Sequence, residues 1–209
     1  DRVPDALVLP GTKSTIADLR RLKEAGFAGH VSRCLESGAT IVGICGGFQM
    51  LGMRIRDPLH VESAAAVEDG LGLLPGVTVF QEDKITAQVA GIHLGSGTEV
   101  RGYEIHMGRT EGTPASPLFR ITRRGGRAVT EFDGADAAGG RVWGTYIHGV
   151  FDNPGFRRHF VDGLRAARGW APLGPSTAAD ADAEFDKLAA HVRANLDVER
   201  IHRIWRKQA

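Results

Sequence analysis

The chain has 209 residues, 42% hydrophobic and 24% charged, with a formal net charge of +1; this is the balance of a folded domain with a real core, not of a disordered or fibrous chain. Near-neutral charge excludes the strong basic excess of nucleic-acid and membrane-surface binders, so neither a nucleic acid nor a membrane is expected as partner. Two cysteines, Cys34 and Cys45, are too few for a disulfide scaffold and fit a reducing, cytoplasmic setting; no stretch has the length of a membrane span or reads as a signal peptide.

Ala6-Leu7-Val8-Leu9, stopped by Pro10-Gly11, reads as a buried strand. Ser14 or Thr15 can cap a helix that carries Ile16, Leu19 and Leu22 and stops near Gly26. A second helical stretch holds Val31, Cys34 and Leu35 and ends at Gly38, and Thr40 to Ile44 is the next strand. Strand, helix, strand at this spacing predicts a parallel sheet with a crossover.

The middle of the chain changes character. Val77 to Phe80, Ile85 to Val89, Val100 to His106, Ala128 to Phe132 and Val142 to His148 read as strands, broken at Asp133-Gly134 and Gly139-Gly140. They predict a mixed or antiparallel region added to the parallel sheet. Pairs such as Arg123-Arg124 and Arg157-Arg158 read as solvated faces. From Pro154 the chain turns helical again. After a Pro/Gly/Ser loop over residues 171–179, Phe185, Leu188, Ala189, Val192 and Leu196 form one face of a last helix.

One segment points to chemistry. In Gly43-Ile44-Cys45-Gly46-Gly47, a cysteine stands between an apolar strand and a glycine pair, followed by Phe48, Gln49, Met50 and Leu51 in helical pattern. This matches the G-x-S-x-G nucleophile elbow with sulfur in place of oxygen. A packed core cysteine, the plain alternative, does not need three glycines, each of which costs about 0.5–1 kcal/mol in regular structure. A cysteine nucleophile needs a base and oxyanion donors. Of eight histidines, 30, 159, 191 and 202 fall on predicted helices and 60 and 93 in loops. His148 differs, because it leaves a predicted strand and is followed by Gly149, where α/β sites form. Gly11, at the end of the first strand, could offer a second oxyanion amide beside that of Gly46. The stretch Pro10 to Thr15 lacks the glycine spacing of a P-loop. Glu104 and His106 are two apart on one strand and share a face, either solvated or lining a site; no third metal ligand lies near them.

PGTKSTIADL, GICGGFQMLG, GLGLLP, RGYEIHMGRT and GTYIHGVFDN, in this order, resemble the C-terminal glutamine amidotransferase domain of the cobyric acid synthase family, in the cobalamin-pathway branch of class I amidotransferases. The resemblance runs from about residue 5 to the last helix. It implies an α/β, flavodoxin-like fold: a central, mostly parallel sheet with antiparallel additions, flanking helices and a helical C-terminus, forming one amidotransferase domain over residues 1–209. It implies Cys45 as nucleophile, His148 as base, Gly11 and Gly46 as oxyanion amides, and Gln49 beside them in the glutamine site. Most class I members carry an acid two residues after the histidine; here Val150 stands there, so Glu104, with His106 beside it, is a candidate support. The resemblance further implies L-glutamine as substrate and a corrinoid reached through an N-terminal synthetase domain that uses ATP and Mg2+. No P-loop is present and the chain starts at Asp1, without Met, as a fragment of a longer polypeptide would; no metal or cofactor is expected here.

Other readings remain open on the residues alone. The chain could be another amidotransferase of the same branch, a cobyrinic acid a,c-diamide synthase or a cell-wall amidotransferase subunit. It could be a Cys-type α/β-hydrolase, with Glu131 or Asp133 as the acid between nucleophile and histidine, or a docking domain without turnover.

Overall fold

The computed structural model describes residues 3–112, 117–174 and 181–207. In chain order the elements are β1 (Ala6–Leu9), α1 (Thr15–Glu24), α2 (Phe27–Glu36), β2 (Thr40–Ile44), α3 (Gly46–Leu51), β3 (Arg54–Arg56), β4 (Val67–Asp69), β5 (Val77–His93), β6 (Glu99–Glu111), β7 (Phe119–Arg124), β8 (Arg127–Asp133), β9 (Ala135–Ala137), β10 (Val142–Thr145), α4 (Pro154–Ala167), α5 (Ala181–Asn195) and α6 (Val198–Lys207). Contacts divide the chain into one unit over Asp1–Ser176 and another over Thr177–Ala209.

The first unit carries two sheets. One has the order β1-β2-β10-β9, with β1 and β10 parallel to β2 and β9 antiparallel at the edge. Alternation along β2 explains why this sheet is covered on both faces: Ile41 enters a core with Leu9, Val31, Cys34 and Leu51, and the next residue, Val42, enters another with Phe119, Trp143, Ile147 and Phe156. This is the predicted strand-helix-strand unit, and Cys34 is part of its packing.

The antiparallel part is a second sheet, not a fringe. Its order is β4-β3-β5-β7-β8, with β6 also paired to β5. The two strands predicted over 77–89 are one strand, β5, of 17 residues. Its register shifts at a bulge between Val79 and Lys84, and the exposed polar run Gln81–Lys84 at that bulge hides its continuity from the sequence. His93, placed in a loop by the sequence reading, ends β5 and is buried against Phe119 and Phe156.

In the second unit the predicted last helix is α5, and α6 follows it. The apolar positions Phe185, Leu188 and Leu196 are exposed. The loop predicted over 171–179 is irregular through residue 174, and its remainder lies outside the described residues. Among the described residues no helix is long and apolar enough to cross a membrane.

Candidate active site

Three strand exits meet at one place. β1 runs into Gly11, β2 into Cys45 and β10 into the turn that carries His148, all at the carboxyl ends of parallel strands. A Cβ built on Gly11 would lie 3.1 Å from His148 Cε1 and 3.4 Å from Cys45 Cβ. Gly11, Cys45 and His148 therefore border one small space that a side chain at position 11 would fill.

The elbow is built by close packing. Cys45 has φ 53° and ψ −111°, a region that costs a non-glycine residue on the order of 1–3 kcal/mol and is held only where the surroundings enforce it. The Cys45 N–H donates to Thr145 O at 2.9 Å, tying the elbow to β10, and the carbonyl accepts the Gln49 N–H at 3.0 Å. A Cβ on Gly47 would fall 2.0 Å from Leu9 O, so only glycine lets α3 sit this close to β1.

Cys45 is 6% exposed, and its thiol donates to the Ile105 carbonyl on β6 at 3.5 Å. Burial pushes the thiol pKa up; the Gly46 N–H works against this and the Glu62 carboxylate with it. Burial pushes His148 down, towards the neutral imidazole. Both shifts favour the uncharged forms, thiol at Cys45 and neutral imidazole at His148.

Glu62 is a residue the sequence reading missed. Ser14 occupies the N-cap position of α1 but makes no side-chain cap. The Glu62 carboxylate does so instead, accepting the Ile16 N–H at 2.9 Å. An acid at a helix N-terminus is favoured there. It arrives from a loop 46 residues away, so no local motif announces it.

Gln49, 2% exposed, uses its amide within the protein. It donates to Met107 O at 3.0 Å and to the Tyr146 hydroxyl at 3.3 Å, and accepts from the Thr15 hydroxyl at 3.3 Å. The Tyr146 hydroxyl is also bonded to Thr110 at 2.7 Å, and burial pushes its pKa up to about 12. Gln49 thereby ties α3 to α1, to β6 and to the chain just ahead of His148.

Glu104 and His106 are on one face, as the spacing predicts; the face is buried, and His148 lies near enough to His106 to act on its charge. Glu104 is 1% exposed and paired with Arg124, 3.0 Å from its Nε. Arg124, read as part of a solvated pair, also holds Glu131. His106 stacks on Tyr146, ring centroids 3.8 Å apart, and its Nδ1 lies 3.1 Å from Gly108 O, which makes that nitrogen the N–H donor. Burial pushes its pKa down to about 4. The acid weighed beside Glu131 for a hydrolase triad, Asp133, accepts from the Thr145 hydroxyl and the Tyr146 N–H. All three acids are committed to other partners.

Residues 1–156 match the family of CobB/CobQ-like glutamine amidotransferase domains. The chain belongs to this family. Similar curated proteins include the cobyric acid synthases of Syntrophobacter fumaroxidans (46% identical, 96% of this chain and 41% of that protein) and Streptococcus sanguinis (45%, 98% and 42%). The chain spans about two fifths of the length of these relatives. Among solved structures, that titled "Structure of PurLQS from Thermotoga maritima" is similar at a TM-score of 0.53, with 20% identity, over 77% of this chain and 80% of that one, a likeness of fold. The amidotransferase domain thus has the flavodoxin-like α/β fold, with its nucleophile candidate at a strand-to-helix elbow. Among its described residues no group of three or more His, Cys, Asp or Glu could hold a metal ion.

Proposed function

We propose that this chain is the glutaminase domain of a cobyric acid synthase. It hydrolyses L-glutamine at Cys45 and supplies ammonia to a synthetase domain. There, ATP-dependent amidation converts side-chain carboxylates of a corrinoid, taking adenosylcobyrinic acid a,c-diamide to cobyric acid. The observation that carries the reading is the convergence of Cys45, His148 and Gly11 on one space; the relatives named cobyric acid synthase supply the substrate class.

The chemistry follows from the two resting states. Glutamine enters with its side-chain amide against Cys45. His148 takes the thiol proton as sulfur attacks the amide carbon, and the oxyanion is received by the N–H groups of Gly11 and Gly46. The C–N bond breaks as His148 returns the proton to the leaving nitrogen, and ammonia departs. A glutamyl thioester remains. His148 then takes a proton from water, whose oxygen attacks the thioester carbon, releasing glutamate and restoring the thiol.

The test uses the full-length protein with glutamine or ammonium salt as nitrogen source. C45S should abolish the glutamine-dependent amidation and leave the ammonia-dependent one. Loss of both in a folded variant would refute this division of labour. Labelled glutamine, trapped as a thioester in preference to an activated ester, separates the amidotransferase from a hydrolase.

A further inference from the structure

We propose that Tyr103 is the positioning residue of His148, its ring holding the imidazole where a triad carboxylate would otherwise hold it. The inference rests on the reading of His148 as the base. It starts from a deficit: His148 Nε2 is buried and has no hydrogen-bond partner among the described residues. The acids weighed from the sequence are engaged, Glu104 and Glu131 by Arg124 and Asp133 by Thr145 and Tyr146. A histidine base with no acid to orient it still needs its ring held, because proton transfer depends on geometry before pKa.

Tyr103 holds it in two ways. Its backbone pairs with that of His148 in an antiparallel bridge outside the named strands: His148 N–H donates to Tyr103 O at 2.8 Å, and Tyr103 N–H to His148 O at 3.2 Å. Residues opposed in such a pair send their side chains to the same side. A Cβ on Gly102 would fall 2.1 Å from His148 O, so glycine at that position permits the approach. The side chains then stack, with ring centroids 4.9 Å apart and planes 7° from parallel. With the backbone fixed by two hydrogen bonds and one ring face covered, rotation of the imidazole is restricted. Alternation along β6 sends Glu104 to the other face, where it meets Arg124.

The stack is not ordinary core packing. Tyr103 is 49% exposed, in contrast to Glu104 and His106 on the buried face. A half-exposed tyrosine contributes little to the interior, and shortening it leaves the backbone bridge in place.

Glutaminase kinetics of the full-length protein decide the matter. Y103F keeps the ring and should stay within twofold of the parent in kcat and KM. Y103A should lower kcat about tenfold or more, with KM within twofold and an unchanged Tm. Y103L, which keeps apolar bulk without a flat face, should behave as Y103A and replaces it if Y103A does not fold. Near-parental kcat in both truncations overturns the proposal. So does a rise in KM at constant kcat, which marks a contact to substrate, or equal damage by Y103F, which marks chemistry of the hydroxyl. H148A is the control: if it retains glutaminase activity, the base assignment falls and this proposal with it. If H148A is inactive while Y103A and Y103L are active, only the role of Tyr103 falls.

Discussion

Asp133 and Tyr146 are joined inside the protein, the Tyr146 N–H donating to the carboxylate at 3.2 Å, and the same carboxylate accepts the Thr145 hydroxyl. That hydroxyl in turn accepts the Ile147 N–H at 3.1 Å. One buried acid thus shapes the turn between β10 and His148, and the strand predicted to run to His148 ends at Thr145 instead. Burial raises the Asp133 pKa from 3.8 to about 6. The folded state therefore holds a proton that the unfolded chain has lost between about pH 4 and pH 6, and stability attributable to this group falls as pH rises through that window. The cost above it is on the order of 3 kcal/mol. The difference in Tm between D133N and the parent should change across pH 4–6 and level off above it. A difference independent of pH would show that Asp133 does not titrate there.

Cys45 should react as a high-pKa thiol when no substrate is bound. Burial raises its pKa and the Glu62 charge adds to this, so the alkylation rate with iodoacetamide should climb on an alkaline limb above that of a free cysteine. Neutralising the charge in E62Q should move the limb to lower pH. An unmoved limb would mean that Glu62 and Cys45 do not sense each other. An electrophilic glutamine analogue should modify Cys45 and spare Cys34, which is 1% exposed within the core; mass mapping of the adduct to Cys34 would reverse the assignment.

Two glycine substitutions should part company. In G47A the new methyl would meet Leu9 O at 2.0 Å, between two backbones with no room to yield, and the expected result is insoluble or unfolded protein. In G11A the methyl enters the space between His148 and Cys45 at ordinary or slightly tight distances. That variant should fold with a near-parental Tm and lose about 100-fold or more in glutaminase kcat/KM. A fully active G11A would remove Gly11 from the site.

Glu104 and Arg124 give the opposite pattern. E104Q removes the buried negative charge that faces the Arg124 guanidinium, while the exposed Glu131 still neutralises it in part. The expected loss is about 2 kcal/mol of stability with glutaminase kcat within twofold. Denaturant unfolding and steady-state kinetics on one preparation check this. A lower kcat at unchanged stability would return Glu104 to the catalytic site.

The local part of the candidate site was legible in the sequence. Cys45 could be found because an elbow is a strand, a tight turn and a helix within a dozen residues, and its glycines report a close approach that the structure shows at Gly47. Gly11 and His148 could be placed because each follows an apolar strand. What stayed hidden depends on pairing between distant strands. The second sheet joins β3 to β5 and β5 to β7, and nothing in the pattern near Tyr103 or Arg124 says which residue faces them. Arg124 next to Arg123 looks like a solvated pair until β7 is laid beside β5, which places it near Glu104. Glu104 and His106 were read correctly as sharing a face; the face itself could not be known without the register.

The bridge between Tyr103 and His148, with the thiol contact from Cys45 to Ile105, makes the proposed reactive centre a seam. Cys45 and His148, the proposed nucleophile and base, come from the parallel sheet, and their partners Ile105 and Tyr103 come from the other sheet, 60 and 45 residues away in the chain. These contacts join one sheet to the other, so they form only when both sheets, including the long-range pairing of Ile41 with Val142, are in place. Turnover is then an all-or-none report of docking between the sheets. On refolding, glutaminase activity should return after the far-ultraviolet signal of the separate sheets, and in mild denaturant it should be lost before that signal falls.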